Sequence, residues 1–459
     1  MRTPGHRHRR GLARMAAMTC LLAACATTAA ARPDDAPAAA QAVPAAAPAE
    51  AADAEPRIDV ALREETFEVA RQAVKDFPAD ANALGLMGTV CNYYCLTTDA
   101  VAWWRRCIEV DPTRADAYHA IALVACRRGQ YEEAIGIWRK AREAGLDMQG
   151  MCIHHAIALL DMGKSREAIA KAEEELARDP ENIEAHLLIG KACLGLQEHE
   201  KAAAHYERAS RIKPDDSRPY YGLMAVYTRL GSKDKAAAYT AQFREARAAE
   251  DKDLHETHNE RKSAGGRRAW TTRTLSKTHT DAGRLYATHG DLDEAETHWR
   301  RAAALCADNK VCRHALIDLY LRSGRERQAL TFCEQLRQLE PASATYHLNT
   351  GVLLTQLQLY DAAEEAVRRG LALAPDSATA HLSLVRLLLF RSRMLPEAQT
   401  LARRLVELAP TVEHCSLLAE ACRRNGDLAG ARAAIERAMK LDPGNEAIKA
   451  AYKQLQEKE

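Results

Sequence analysis

The chain has 459 residues and few aromatics: Phe, Tyr and Trp together make up 5%. β-Sandwiches and barrels draw heavily on aromatic and β-branched side chains, so those classes are disfavoured. Net charge is lacking too, since 64 Lys and Arg against 63 Asp and Glu leave +1. That balance gives no broad positive field for nucleic acid. The apolar run Met15–Ala24 (MAAMTCLLAA) is too short to cross a bilayer as a helix. Among 13 Cys there is no CxxCH haem motif and no paired CxxC zinc spacing. Ala is abundant, and charged residues make up 28%. Stacked amphipathic helices use that mixture. The length exceeds what one globular core holds, so several domains or a repeat array is expected.

Arg2, Arg7, Arg9, Arg10 and Arg14 precede the short apolar run, which has signal-peptide length. The run ends in Leu22-Ala23-Ala24-Cys25, which resembles the lipobox of bacterial lipoproteins. The resemblance implies that residues 1–25 are a signal peptide and that Cys25 is lipidated as the mature N-terminus. The protein would then be held on a cell-envelope membrane, facing the periplasm. The alternative is an ordinary signal cut after Ala31, giving a soluble periplasmic or secreted protein. Residues 26–57 are Ala/Pro-rich with little to bury, and are expected to form a disordered tether of at most ~3 Å per residue.

Beyond residue 57 the chain keeps a 34-residue rhythm. Blocks 81–114, 115–148, 149–182, 183–216 and 217–250 follow without a gap, and blocks 276–309, 310–343, 344–377, 378–411 and 412–445 repeat the phase. One slot holds Ala100, Ala134, Ala168, Ala202, Ala236, Ala295, Ala329, Ala363 and Ala431. Ala398 is displaced by one residue, which places a one-residue insertion near Arg391–Pro396. A turn slot holds Gly129, Gly163, Gly231, Gly290, Gly324 and Gly426, and a stop slot holds Pro112, Pro180, Pro214, Pro341, Pro375 and Pro443. Small residues let two helices cross closely, Gly suits the tight turn, and Pro ends the second helix.

This pattern resembles the tetratricopeptide repeat (TPR). The resemblance implies an all-α solenoid of about ten TPR-like helix-turn-helix repeats, in two blocks of five, wound as a right-handed superhelix. Residues 58–250 form the first block, with 58–77 as a lone second helix that starts the stack. Residues 276–459 form the second block, ending in a capping helix over 446–459. Between them, 251–275 carries no repeat slots. It reads as a second helix running past its usual stop, a break at Gly265-Gly266, and a lead-in helix near Trp270.

No catalytic motif emerges. Met162-Gly163-Lys164-Ser165 imitates the end of a P-loop, but Ala158 stands where the upstream Gly is required and no strand precedes it. Cys91, Cys107, Cys152, Cys193, Cys333, Cys415 and Cys422 fall in apolar slots and read as small core residues. Cys306 and Cys312 flank an inter-repeat turn without Pro and form a candidate disulfide in an oxidising compartment. His186, His279, His347 and His381 occupy a slot where the family prefers a large aromatic, and read as half-buried substitutes. His255 and His258 could share a metal, yet their segment is charged all round and reads as a solvated face.

In TPR proteins the first helices line a concave face where partners lie. Carried across by slot, that face includes Asn92, Tyr93, His119, Ile153, Ile157, Leu160, Leu187, Lys191, Tyr221, Arg229, Arg284, Asp318, Arg386 and Glu420. Blocks 149–216 are aliphatic there, and 217–309 are basic and aromatic. The Lys/Asn/Arg set with which chaperone-binding TPRs clamp a carboxylate occurs in no three successive repeats. The expectation is a non-enzymatic scaffold of the bacterial cell envelope that binds a protein or peptide in its groove. It would use no cofactor, no metal, no small-molecule substrate and no nucleic acid, and would meet the membrane through its lipid anchor. The alternatives are a metal-binding or enzymatic accessory built on His255 and His258, or a soluble periplasmic adaptor.

Overall fold

Each repeat folds into the helix pair that its slots require. A computed structural model describes residues 57–146, 150–262 and 264–456. Over these residues the chain forms twenty-two helices and no strand. Cys25 and the Ala/Pro-rich tether before Arg57 lie outside the described residues.

Helix α1 (Arg57–Asp76) precedes the repeats. The first block supplies α2 (Ala81–Tyr93) with α3 (Thr97–Val110), α4 (Ala115–Arg127) with α5 (Tyr131–Glu143), and α6 (Met151–Asp161) with α7 (Ser165–Leu176). It continues with α8 (Ile183–Gly195) and α9 (His199–Ile212), then α10 (Ser217–Arg229) and α11 (Lys233–Lys262). The second block supplies α12 (Ala264–Thr288) with α13 (Leu292–Leu305), α14 (Lys310–Arg322) with α15 (Glu326–Leu339), and α16 (Ala344–Gln356) with α17 (Tyr360–Leu373). Then come α18 (Ala378–Arg391) with α19 (Leu395–Leu408), α20 (Val412–Arg424) with α21 (Leu428–Leu441), and the terminal α22 (Glu446–Gln456).

Local chemistry sets the helix ends. Asp80 caps α2 by accepting from the backbone N–H groups of Asn82 and Ala83, and Asn182 and Asp216 cap α8 and α10 in the same way. At the turn inside each repeat one residue takes a left-handed conformation. It is Gly129, Gly163, Gly231, Gly290, Gly324 or Gly426 in six repeats, and Cys95, Gln197, Gln358 or Ser392 in the other four. That residue closes the first helix: Gly129 N–H donates to Cys126 O, and Gln130 N–H reaches back to Ala125 O, both at 2.9 Å. The insertion near Arg391–Pro396 appears as a second left-handed residue, Met394, and α19 begins one residue later than its counterparts.

Close packing follows the small slots. Ala100, Ala134, Ala202, Ala295, Ala329 and Ala363 are wholly buried. Gly88 and Gly283 admit an indole from the partner helix: a Cβ there would lie 2.6 Å from Trp104 or Trp299. Trp138 fills the same place against Ala122. Each large apolar side chain so buried contributes about 1.5–3 kcal/mol.

The helices fall into two compact units divided after Cys306. The second unit, α14–α22, has a core that includes the wholly buried Leu316, Leu353, Leu384, Leu388 and Leu405. Its last helix, α22, buries Ile448 and Leu455 and leaves a charged outer face. The first unit, α1–α13, includes the repeat 276–309 up to its second helix, although that repeat keeps the phase of the second block.

The reason is α12. Gly265 and Gly266 lie in its first turn rather than in a loop, and the expected lead-in segment is continuous with the first helix of the repeat through Thr288. The entropic cost of glycine is that of a helix interior, and at a helix start it is a weaker breaker than in the middle. Helix α11 runs to Lys262. Helix α12 then packs along α1 and against α2. Glu65 meets His279 while Asp76 meets Tyr286, so α1 and α12 run in the same direction. Asp80 meets His289 while Tyr94 meets Trp270, so α2 runs the opposite way. Helix α1 therefore abuts two first helices instead of serving only as the start of one stack.

Candidate partner-binding face

The slot that points each first helix outward holds His119, Ile153, Leu187 and Tyr221 in successive repeats, and the structure separates them. His119 and Ile153 are buried at 8% and 7% exposure, so neither lines a groove. Trp138 Nε1–H donates to His119 Nδ1 at 3.1 Å, and the imidazole of His154 stands edge-on at 4.9 Å. Burial, then His154, pulls the His119 pKa down to about 4. Ile153 belongs to the core around Trp138 and Ile189. Leu187 is half-buried, whereas Tyr221 is 58% exposed with its ring 5.6 Å from Phe243.

Accessible side chains remain on the neighbouring helices α6 and α8. Ile157 is 38% exposed, Leu160 and Leu187 are half-buried, and Lys191 is exposed. Arg229 is exposed in the last turn of α10. Tyr93 is half-buried, with the Lys277 ammonium 5.8 Å from its ring centre and Trp270 edge-on at 6.5 Å. Asn92 accepts a hydrogen bond from Arg127 at 2.8 Å. In the second unit the charged candidates are tied into ion pairs: Asp318 with Arg322 at 2.9 Å, Arg386 with Glu413, and Glu420 with Arg423 at 2.8 Å. Arg423 foremost holds the Glu420 carboxyl below its usual range.

Tyr93 lies at the C-terminal end of α2 beside Lys277 and Trp270, whereas Arg284, from the sixth repeat, is brought against the earlier turns of α2. Helices α2 and α12 face each other there across a cavity of about 300 Å³, with Arg284, Asp281, Arg114 and Asp116 in its wall. Slot-by-slot reading misses Asp281, Arg114 and Asp116 as parts of one site with Arg284. Nothing in a repeat pattern announces that α12 returns to α2.

The remaining chemistry-bearing residues are structural. Cys91, Cys107, Cys152, Cys193, Cys333, Cys415 and Cys422 are all buried. Burial pushes the Cys107 thiol up to about 11 and raises Cys91, Cys152, Cys193, Cys415 and Cys422. Such thiols are not thiolate nucleophiles at neutral pH. Among the described residues the cysteines, Cys306 and Cys312 included, stand as thiols in this structure. Cys312 is turned fully into the packed side of α14, with its sulfur 3.2 Å from Asn309 O.

His186, His279, His347 and His381 are buried, between 4% and 8% exposed. Two of them pair with a histidine on the second helix, His186 with His205 at 3.0 Å and His279 with His298 at 2.8 Å, Nδ1 to Nδ1. One ring of each pair donates and the other accepts. Burial, then His279, pulls His298 down to about 4. The P-loop-like stretch is the turn between α6 and α7, with Gly163 at φ 76°. The side chains of His255 and His258, on α11, lie outside the described residues. Among those described, no group of three or more His, Cys, Asp or Glu is placed to hold a metal, and no helix is long and apolar enough to cross a membrane.

Residues 154–217, 314–378 and 382–446 match the tetratricopeptide repeat, and 94–175 match subunit 3 of the anaphase-promoting complex, cyclosome. Anaphase-promoting complex subunit 3 of Schizosaccharomyces pombe is 24% identical over 259 residues, 55% of this chain and 34% of that protein. A TPR repeat-containing protein of Treponema pallidum is 27% identical over 280 residues, 56% of this chain and 29% of that one. The chain thus spans about a third of the length of these curated relatives. A solved structure of a MamA RS-1 ArsTM double mutant aligns at 16% identity with a TM-score of 0.36, over 38% of this chain and 97% of that one. With slots, turns and helix pairs recurring from repeat to repeat, this chain carries tetratricopeptide repeats, stacked as an all-helical solenoid.

Proposed function

We propose that the chain is a non-enzymatic scaffold of a bacterial cell envelope, anchored through a lipid on Cys25, that binds a protein or peptide along the first helices of its first unit. One observation carries the reading: apolar side chains remain accessible on successive first helices, Ile157 at 38% and Tyr221 at 58% exposure, with Leu160 and Leu187 half-buried and Lys191 exposed. Accessible apolar and aromatic anchors with a polar edge are the composition of a partner site. The buried thiols and histidines offer no poised nucleophile or base to compete with that role. A relative that is by name a complex subunit supports the same class of function. The anchor and the envelope setting rest on the Cys25 motif.

The test places a photo-crosslinking residue at 157 or 187 in cells and identifies captured proteins by mass spectrometry. Position 167, exposed on the second helix α7, is the control. A partner enriched at 157 and 187 over 167 is expected; equal capture at all three would overturn the groove. Cys25→Ser should release the protein from the membrane fraction. Unchanged partition would replace the anchor with a soluble adaptor.

A further inference from the structure

We infer that the cavity between α2, the start of α4 and α12 is a receptacle for one cationic group of a protein partner, the ammonium of a lysine or the guanidinium of an arginine, seated on Asp281. The inference rests on the partner-binding reading and adds the chemistry of one contact.

The cavity exists because α12 comes back to α2. Asn82, Gly85, Leu86 and Thr89 form one face of α2, and Asp281, Arg284, Leu285 and Thr288 form the matching face of α12. Both sets follow the i, i+3, i+4, i+7 spacing of a single helix face. At about 300 Å³ the space lies at the lower end of ligand-pocket sizes, enough for one long side chain and not for a helix.

The polar groups divide into those already committed and those left over. Arg114 is committed: Nε and Nη2 bind the Asp116 carboxylate at 2.8 and 2.6 Å, and Nη1 binds Asn82 Oδ1 at 2.9 Å. Gly85 leaves room for that guanidinium, since a Cβ would lie 3.3 Å from Nη2. Asp281 is not matched in this way. Among the described residues its ion pair is with Arg284 at 3.5 Å, and the Arg284 side chain is 64% exposed and that of Asp281 34%, so the pair is loose and partly hydrated. Lys277, the other nearby cation on α12, rests on the Tyr93 ring. Burial raises the Asp281 pKa, and Arg284 and Lys277 offset that only in part.

An incoming cation would complete this carboxylate. Leu86 and Leu285, nearly buried, offer apolar wall to a methylene stem. The Thr89 and Thr288 hydroxyls donate to Gly85 O and Leu285 O, which leaves their oxygens able to accept. An anionic group would instead face the carboxylates of Asp281 and Asp116, with Arg114 and Arg284 in the wall already paired to them.

The test presents the full chain with short immobilised peptides, random except for a central Lys, Arg, norleucine or Glu. Lys- and Arg-centred peptides should be retained about tenfold more than norleucine-centred ones, a difference of about 1.4 kcal/mol. Asp281→Asn should abolish the preference. Thr89→Leu, which fills the cavity and keeps every charge, should abolish it too, with both variants shown folded by their melting curves. If peptides bind regardless of the central residue and neither variant matters, the receptacle is refuted while the partner-binding reading stands. In a second arm N-acetyl-lysine methylamide and cadaverine are added to the full chain and its melting midpoint is read. Stabilisation of wild type but not Asp281→Asn, without peptide retention, would make free amines the ligand and sink the partner reading. No response in either arm would overturn the receptacle.

Discussion

Glu65 and Arg301 stand 236 residues apart in the chain and meet in a two-point ion pair, Nε to Oε1 and Nη2 to Oε2, both at 2.8 Å. The same carboxylate lies 3.2 Å from His279 Nε2. Around it Phe77 stacks on His289 at 4.0 Å, and the Tyr286 hydroxyl donates to Asp76. These contacts hold α1 against α12 and α13, and they make repeat six part of the first unit.

Glu65→Gln keeps the size and removes the charge. It should destabilise the first unit by about 1 kcal/mol at pH 7, read as a lower urea midpoint. Arg301 foremost, and His279 with it, hold the Glu65 carboxyl below its usual range against the opposing effect of burial. A carboxylate with a depressed folded pKa contributes stability above its unfolded value of about 4.3 and loses it as pH falls through the folded value. Wild type and variant should therefore begin to converge as pH falls below the unfolded value and meet only once it has passed the lower folded value. A gap that persists in acid would show that Glu65 acts by something other than its charge.

Buried histidines predict a second acid step at higher pH. His119, His155 and His298 are each pulled down to about 4, in every case chiefly by burial. They stay neutral when folded and take up protons near pH 6.5 when unfolded. Stability should thus be intact above about 6.5 and fall as pH drops from there towards 4. His298→Gln, which can still hydrogen-bond to His279, should shrink that loss in a pH series of melting midpoints. An identical acid profile would contradict the neutral His279–His298 pair.

Left-handed turns without glycine store strain. Gln197 and Gln358 sit at φ 63° and 62°, where other repeats carry Gly. A side chain costs about 1–2 kcal/mol in that conformation, while glycine brings a smaller entropic cost of its own. Gln197→Gly and Gln358→Gly should each stabilise by about 0.5–1 kcal/mol in urea titrations. The reverse change, Gly163→Gln, should destabilise by a similar amount.

Gly283→Ala should be far more costly than its one methyl suggests. The new Cβ would fall 2.6 Å from the Trp299 indole, which is 8% exposed and cannot withdraw. Overpacking of this kind costs about 1–3 kcal/mol. Gly136→Ala, on a helix with nothing within 4 Å of the added atom, is the control and should be neutral or stabilising. Equal effects at the two positions would show that the α12–α13 crossing has slack.

The outward slot shows how far residue types alone can be read. His119, Ile153, Leu187 and Tyr221 share it, yet exposure runs from 7% at Ile153 to 58% at Tyr221. The slot sets the direction in which a side chain leaves its helix. Whether it reaches solvent depends on the bulk around it, such as Trp138 and His154 around His119. The core slots are easier to read, because small-against-large pairs such as Gly88 with Trp104 recur inside one repeat.

What the sequence by itself determined is the repeat: its helix pairs, its turn residue, the buried Cys and His, and the one-residue insertion that delays α19. Those features repeat in phase because each rests on contacts within a repeat or with its neighbour. The tertiary structure alone decided that α12 is one helix from Ala264 to Thr288, that it returns to α1 and α2, and that a cavity lies between α2 and α12. These depend on single pairs such as Glu65 with Arg301 and Asp76 with Tyr286, more than 200 residues apart. Such pairs have no period, so nothing along the chain tells Glu65 which arginine it will meet.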